Sequence, residues 1–403
     1  MLMGGVLMLT SIPAAAEPGL ESAAGVAPEG FIQITGVAAG EFQPQWWEAG
    51  ALNLNFDARA PLLEPREGPF RNIYAPSAVR TEDGWLIYYG AWDGVQTGND
   101  RIYVTSTEDF LSFGERQMVI DHGPYTHVCN CSVVRWPDGG YRMACTAYPH
   151  REGGQNRPVT FSSPDGLTWN GALPHVADYS DLATIEGYAN WENAELNGVN
   201  AILYEDGAYR LYFLDWLNSR QVHRASSEDF RTFTYDGPVY DGTLAVNDVR
   251  RFDLADGTWY LMAAHLNGDT LWYSLSRDGM SFAPAHVLTK NQSAADRYIV
   301  AVGWVTEGDR VLGFLYGAGA ISGLTENRIF AKWLQKKVVF HADDGRTFDE
   351  ASALGPDTLL LSIPDGVTSG SFTVLAEDGV SVLSRTGTVS IAPGQCWRLS
   401  PSG

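Results

Sequence analysis

Five stretches of the chain share one pattern of apolar and polar positions: a β-branched or aromatic run, an acidic residue followed by glycine, and a second apolar run. Glycine adopts the positive φ that tight turns need, and aspartate hydrogen-bonds its own backbone, so each stretch predicts a β-hairpin. The predicted hairpins cover residues 75–92, 130–148, 200–216, 249–265 and 301–317.

A second motif follows each hairpin and ends a strand-like run, as in "RIYVTS" before the first copy. It contains an aspartate, a glycine or phenylalanine directly after it, and a closing aromatic residue. Three or four antiparallel strands in about sixty residues are typical of a propeller blade. We therefore predict an all-β fold, a five-bladed β-propeller over residues 41–352. The motif aspartates are expected at equivalent turns, and they are Asp109, Asp165, Asp229, Asp278 and Asp344.

The five S-x-D-G-x-[ST]-[FW]-like copies resemble those of the five-bladed β-propeller glycoside hydrolases, the superfamily of families 32, 43, 62, 68 and 117. The resemblance covers roughly residues 70–350. It implies a glycosidase that hydrolyses a polysaccharide or oligosaccharide through paired carboxylates in the axial pocket, with inversion as in family 43. Sialidases carry a similar motif, but a likeness to them would imply six blades.

The two ends of the chain lack the hairpin pattern. Residues 1–16 fit a signal peptide because an apolar run ends in three alanines, although no basic residue precedes it. Residues 17–40 predict a flexible leader, and residues 51–56 an early strand against the last blade. Residues 353–403 predict a small C-terminal β segment, or strands that close the ring. We expect a secreted or periplasmic protein.

The charge of the chain limits its partners. Among 403 residues, 48 Asp+Glu outweigh 27 Lys+Arg, for a formal net charge of -21. A field of this sign repels phosphate, so nucleic acid and anionic membranes are not expected partners. No apolar run after the signal peptide approaches the ~20 residues of a membrane span. A carbohydrate substrate is expected and no cofactor is predicted; a structural calcium and the oligomeric state stay open.

The stretch "THVCNCSVVRW" (126–136) allows three interpretations of its cysteines. Hairpin geometry places Cys131 opposite Cys145, so a cross-strand disulfide is one alternative for an exported protein. A metal site is the least favoured alternative, because zinc needs four converging ligands. Buried core thiols are the favoured interpretation.

In a propeller, the starts of the first strands and the ends of the second strands line the axial pocket. Aromatic rings stack on sugars, and carboxylates and amides bind sugar hydroxyls. From strand starts, the candidates are Tyr74, Asn130, Asn197, Asn247, Asp248 and Arg297. From strand ends, they are Trp92, Asp93, Tyr148, His150, Asp215, Trp216, His265 and Asn267.

Asp248 is the leading catalytic candidate, because it is the only carboxylate at its aligned strand-start position. We expect it to point into the axial pocket; an ion pair with Arg250 or Arg251 is the equally weighted alternative. Asp93 and Asp215 end second strands. The resemblance adds Asp100, where relatives often carry an acid near the pocket. Glu192 and Glu195 belong to the long insertion 178–196, a predicted lid, and Glu195 completes the catalytic candidates.

Arginines recur before the third strand of four units. A structural bond that repeats from blade to blade is the favoured interpretation, and a basic ring for an anionic sugar is the alternative. These arginines are Arg101, Arg157, Arg220 and Arg328.

The chain departs from the resembled families at three positions. Ala75 stands where the general base is expected, Asn130 where an aspartate tunes the acid, and Gly198 near the expected acid. These departures keep a second hypothesis open, a carbohydrate-binding propeller without turnover. A protein-interaction propeller is a weaker third hypothesis, because mixed aromatic and acidic residues favour a small ligand.

Overall fold

The computed structural model describes residues 19–66, 72–93, 99–137, 139–149, 155–266, 268–323, 326–392 and 394–400. Within these ranges the chain is almost entirely β-structure, with one α-helix, Pro44–Glu48, and 3-10 turns at Tyr179–Asp181 and Trp191–Asn193. None of the described helices is long and apolar enough to cross a membrane. The described residues divide into a larger unit within 38–335 and 352–357, and a smaller unit within 19–37, 336–351 and 358–400.

The described residues of the larger unit form five sheets, whose strands follow the chain order except at the ends. Sheet one consists of Ile73–Arg80, Trp85–Ala91, Arg101–Thr107 and Gln117–Asp121, with His175–Val176 at its edge. Sheet two consists of His127–Arg135, Tyr141–Tyr148 and Arg157–Ser163. Sheet three consists of Leu196–Glu205, Ala208–Asp215, Gln221–Ser227 and Thr232–Asp241, with Thr184–Glu186 at its edge. Sheet four consists of Ala245–Leu254, Gly257–His265, Thr270–Ser276 and His286–Lys290. Sheet five consists of Tyr298–Glu307, Arg310–Gly319, Arg328–Leu334 and Leu54–Phe56.

The first strands of these sheets contact one another in succession. Each packs against the first strand of the following sheet, and the first strand of sheet five packs against that of sheet one. The early strand Leu54–Phe56 pairs antiparallel with Arg328–Leu334, which confirms the predicted strand against the last hairpin unit. The arrangement is consistent with the predicted propeller, in which the innermost strand of each blade meets its neighbours around an axis.

Four copies of the aspartate motif form the same turn. In each, the aspartate Oδ1 accepts the N–H groups two and three residues ahead, at 2.7–3.4 Å. The residue after the aspartate has positive φ whether it is Phe110 (φ 61) or Gly166 (φ 77). Two turns also join neighbouring sheets, because Tyr88 donates its hydroxyl to the Gly166 carbonyl at 2.6 Å and Tyr212 to that of Gly279 at 3.1 Å.

The fifth copy does not belong to this set, so the prediction for Asp344 was wrong. Asp344 lies in the smaller unit, on the turn between Lys337–Ala342 and Thr347–Phe348. Its preceding strand pairs with Ser369–Leu375 rather than with a hairpin of the larger unit. An Asp-Gly turn suits any tight hairpin, so the motif alone did not identify a blade.

The smaller unit corrects the predicted domain boundaries. The expected leader contains the strands Leu20–Ala23 and Phe31–Thr35, and the latter pairs with Thr358–Ser362 and Cys396–Leu399. Its alternate isoleucines are fully buried because they face the unit's core. The larger unit's main segment ends at residue 335 rather than 352. The predicted signal peptide, 1–16, lies outside the described residues.

The remaining strands of the smaller unit are Val382–Arg385 and Val389–Ser390, which pair with Ser369–Leu375. A short strand, Ala351–Ala353, falls at the sequence division between the units.

The cysteines of the C-N-C stretch are buried free thiols. Cys131 lies in a bulge of the first strand of sheet two, between the pairs Cys129–Thr146 and Ser132–Ala144, and therefore opposite Cys145. Cys131 and Cys145 pack in the same apolar cluster. The structure agrees with the favoured interpretation of core thiols and with the predicted hairpin neighbours.

Replacing Gly279 with alanine is expected to destabilise the protein by about 3 kcal/mol. Its φ is +66, and an added Cβ would lie 2.9 Å from Cε1 of Tyr260 and 3.0 Å from the Tyr212 hydroxyl. Gly207 is the matched control, because its φ is +80 but nothing lies within 4 Å of the position that a Cβ would take, so backbone strain alone should cost about 1 kcal/mol. Urea unfolding of both variants tests the difference, and equal losses would contradict the inter-sheet contact.

Candidate functional site

The first strands of sheets one and two are interrupted at matching places. Pairing shifts between Tyr74 and Ser77 in one strand and between Cys129 and Ser132 in the other. Ala75 and Asn130 occupy these bulges with φ 51 and φ 57, a left-handed conformation that is uncommon for residues other than glycine. Bulges of this kind re-aim side chains, and they frequently lie beside functional sites.

Six side chains meet next to these bulges, and we call them the rim cluster. The Tyr74 hydroxyl donates to Oδ2 of Asp100 at 2.9 Å, and the main-chain N–H of Asp100 donates to Nδ1 of His127 at 2.9 Å. The Asn130 amide donates to the Tyr148 hydroxyl at 3.3 Å. The members of the rim cluster are Tyr74, Asp100, His127, Cys129, Asn130 and Tyr148.

The cluster contains four of the predicted site residues and two that the sequence did not single out. His127 and Cys129 were quoted within the C-N-C stretch but were not assigned to the site. The pairing of His127 with Tyr148 across the hairpin is the signal that could have placed the histidine there, since Tyr148 was a candidate.

The two phenols and the thiol of the cluster have raised pKa values. Burial raises the pKa of Tyr74 well above its ordinary value, and the nearby Asp100 carboxylate raises it further. Burial, then the neighbouring Cys129 and Asp100, likewise raise the pKa of Tyr148. Burial and Asp100 raise the pKa of the Cys129 thiol, against a smaller lowering by its hydrogen bond with Tyr74. Both phenols and the thiol are therefore neutral at physiological pH.

One oxygen of Asp100 has an unusual position. Oδ1 is buried, and no hydrogen-bond donor within the described ranges reaches it. Buried carboxylate oxygens normally accept hydrogen bonds, so an unpaired one inside a polar cluster calls for a functional explanation.

Asp248 is held by internal contacts. Its Oδ2 accepts the Arg250 guanidinium at 2.9 Å and the main-chain N–H of Trp304 at 2.9 Å, and the residue is 3% exposed. Ser77 and Ser132 accept the N–H of the next sheet's first strand in the same way. Asp248 is therefore a link between sheets four and five, as in the ion-pair alternative.

Asp93 and Asp215 are also committed to internal contacts. Asp93 is fully buried between two arginines, accepting from Arg66 at 3.1 Å and Arg116 at 3.3 Å. Burial acts to raise the pKa of Asp215, but hydrogen bonds from Glu195 N–H, the Asn218 amide and the Tyr188 hydroxyl outweigh it and lower that pKa. An ionised carboxylate held this way orders the segments around Glu195 and Asn218 rather than donating a proton.

Glu195 is less committed than these acids. It is half-buried, and its Oε1 accepts the Asn156 N–H at 3.4 Å. Arg157 lies close enough for its charge to act on the carboxylate, while its guanidinium binds the carbonyls of Ala194 at 2.6 Å and Trp191 at 2.8 Å.

The recurring arginines support the structural interpretation where their contacts are described. Arg157 binds backbone carbonyls, and Arg101 pairs with Asp121 at 3.0 Å. Arg328 binds the Asn327 carbonyl at 2.9 Å. Arg220 is exposed.

The other predicted residues are distributed around the sheet ends. Trp92 is buried, and its main-chain N–H donates to the Asn72 carbonyl at 3.3 Å. Trp216 is half-buried, and its main-chain N–H donates to the Glu195 carbonyl at 3.0 Å. His265 bonds Asn247 at 2.7 Å, and the exposed Arg297 lies 5.4 Å from the Tyr298 ring centroid. His150, Asn267 and the side chain of Asn197 lie outside the described residues.

No protein-family model and no curated protein sequence matches the chain. Solved structures do. The catalytic domain of the Coprinopsis cinerea GH62 α-L-arabinofuranosidase aligns with TM-score 0.51 and 14% identity, over 71% of this chain and 97% of that one. A glycoside hydrolase aligns with TM-score 0.52 and 12% identity, over 73% and 96%. The protein BT0996, solved as an RGII complex, aligns with TM-score 0.53 and 12% identity, over 73% and 96%.

The chain has the fold of the propeller-type glycoside hydrolases. In a propeller the innermost strands surround the axis, and here these are the first strands of the sheets. The rim cluster lies at the start of those strands in sheets one and two. At their opposite ends a cavity of ≈ 720 Å³ is lined by residues that include Trp136, Tyr204 and Arg251.

Proposed function

We propose that the five sheets are the blades of one five-bladed propeller, and that the protein is an exported glycoside hydrolase. Its substrate is a polysaccharide or oligosaccharide that binds at the rim cluster. The fold likeness supports glycoside hydrolysis as the class of reaction. The unpaired Oδ1 of Asp100 is the observation that supports the rim cluster as the substrate-binding site.

The proposed chemistry uses two carboxylates. Hydrolysis of a glycosidic bond needs one acid to protonate the leaving oxygen and one base or nucleophile at the anomeric carbon. Of the five predicted acids, Asp100 and Glu195 are the two without an arginine pair or a full set of internal donors. We assign Asp100 as one catalytic carboxylate and Glu195 as its partner, with inversion as the expected outcome.

The neighbours of Asp100 suit a sugar. Asn130 and Tyr148 are half-buried and hydrogen-bonded to each other, so an amide and an aromatic ring lie together in the cluster. Such groups bind hydroxyls and apolar sugar faces respectively.

A carbohydrate-binding role without turnover is the second candidate. It is favoured by Ala75, which occupies the bulge where the resembled families place the general base. The commitment of Asp93, Asp215 and Asp248 to internal contacts favours it as well.

Incubating the purified protein with arabinan, arabinoxylan, xylan and RGII distinguishes the two candidates. We expect soluble sugars to be released from at least one of them, with an inverted anomeric configuration in the first product seen by proton NMR. Release of nothing, together with retardation of the protein in gels containing one of these polysaccharides, would support the binding role instead.

A further inference from the structure

His127 has one ring nitrogen that is already committed. The main-chain N–H of Asp100 donates to Nδ1 at 2.9 Å, and the Val128 N–H donates to the Asp100 carbonyl at 3.1 Å. The two bonds hold the start of the strand His127–Arg135 next to Asp100. The imidazole also lies edge-on to the Tyr148 ring, with centroids 5.8 Å apart and an angle of 87°. The imidazole ring is thus held by its bond from the Asp100 N–H and by its contact with Tyr148.

These contacts define where the imidazole proton resides. A neutral imidazole carries one proton, and the nitrogen that accepts a hydrogen bond is the one without it. Since Nδ1 accepts, Nε2 carries the proton. The opposite tautomer would instead donate from Nδ1 to Oδ2 of Asp100, which lies 3.2 Å away.

We propose that His127 is a ligand-contacting residue, which donates its Nε2–H to an oxygen atom of the bound sugar. The inference rests on the proposed function. The His127 side chain is 29% exposed, and no group in the described part of the chain hydrogen-bonds Nε2. Hydroxyl and ring oxygens of a sugar accept such a donor. Beside Asn130 and Tyr148, it gives the cluster an N–H group held in a fixed position.

Two substitutions separate the two nitrogens of the ring. Asparagine can place an oxygen near the position of Nδ1 and keep the bond from the Asp100 N–H, but it has no group at the Nε2 position. Glutamine reaches the Nε2 position with an amide N–H and loses the Nδ1 acceptor. His127→Asn therefore removes the proposed ligand contact, and His127→Gln retains it.

Affinity electrophoresis in gels containing arabinan, arabinoxylan or RGII measures the consequence. We expect His127→Asn to bind the retarding polysaccharide about ten-fold more weakly than the wild type, and His127→Gln within about three-fold. Equal binding by wild type and His127→Asn would overturn this inference alone. If no gel retards the wild type, the KM for sugar release by the same three proteins replaces the gel measurement. A wild type that is retarded by none of the three and releases sugar from none of them would overturn the proposed function together with the inference.

The tautomer is tested without any ligand. Long-range proton–nitrogen NMR of the full chain labelled with ¹⁵N-histidine, at pH 7.5, should show the Nε2–H form for the signal that disappears in His127→Gln. An Nδ1–H form would overturn the inference, because Nε2 would then have no proton to donate.

Discussion

Replacing Asp248 with alanine is expected to lower the free energy of unfolding by about 3 kcal/mol, while leaving turnover essentially unchanged. Oδ2 of Asp248 accepts both Arg250 and the Trp304 N–H, so its removal leaves a half-buried guanidinium and a buried N–H without their acceptor. Because Arg250 is not fully buried, water recovers part of the loss. Urea unfolding and an assay on the cleaved polysaccharide, both at 25 °C, measure the two quantities.

Asp253→Ala is the matched control for this prediction. Asp253 pairs with Arg251 at 3.0 Å but is 63% exposed, so its loss should cost less than about 1 kcal/mol. If Asp248→Ala abolished turnover without lowering the free energy of unfolding, Asp248 would belong to the site after all.

Much of the larger unit could be predicted from its sequence, because its contacts are local. Each hairpin joins strands that adjoin in the chain, and four motif aspartates bond N–H groups only two or three residues away. The early strand at Leu54–Phe56 was also predicted correctly. The smaller unit was not, because Phe31–Thr35 finds its partners at Thr358–Ser362 and Cys396–Leu399, and no local pattern reveals a pairing over such a separation.

The site was predicted in part, and the bulges explain the remainder. The sequence alignment of the first strands counts residues back from each turn. It therefore assumes that every bulge lies at the same distance from its turn. Each bulge adds one residue, but its distance from the turn differs. Regular pairing resumes at Ser77 and Ser132 in sheets one and two, six residues before the acidic turn residue, and at Asp248 in sheet four, eight residues before it. That difference placed Asp248 beside Ala75 in the alignment, although its contact matches that of Ser77. Such a register shift is visible only in the backbone.

Replacing Asp100 with asparagine is expected to have the largest effect on activity. Asparagine has the same shape and can still accept the Tyr74 hydroxyl, but it carries no charge and is a poor acid or base. Turnover should fall by at least about 1,000-fold, as for loss of a general acid or base, while the free energy of unfolding changes by less than about 1 kcal/mol. Asp121→Asn is the control from the same sheet, because Asp121 is partly exposed and pairs with Arg101.

The rate of sugar release by Asp100→Asn, compared with the wild type and Asp121→Asn on the same polysaccharide, tests the central claim most directly. A loss confined to Asp100→Asn, with all three proteins equally stable in urea, is the predicted result. Release by Asp100→Asn at the wild-type rate would contradict it and move the catalytic carboxylate away from the rim cluster.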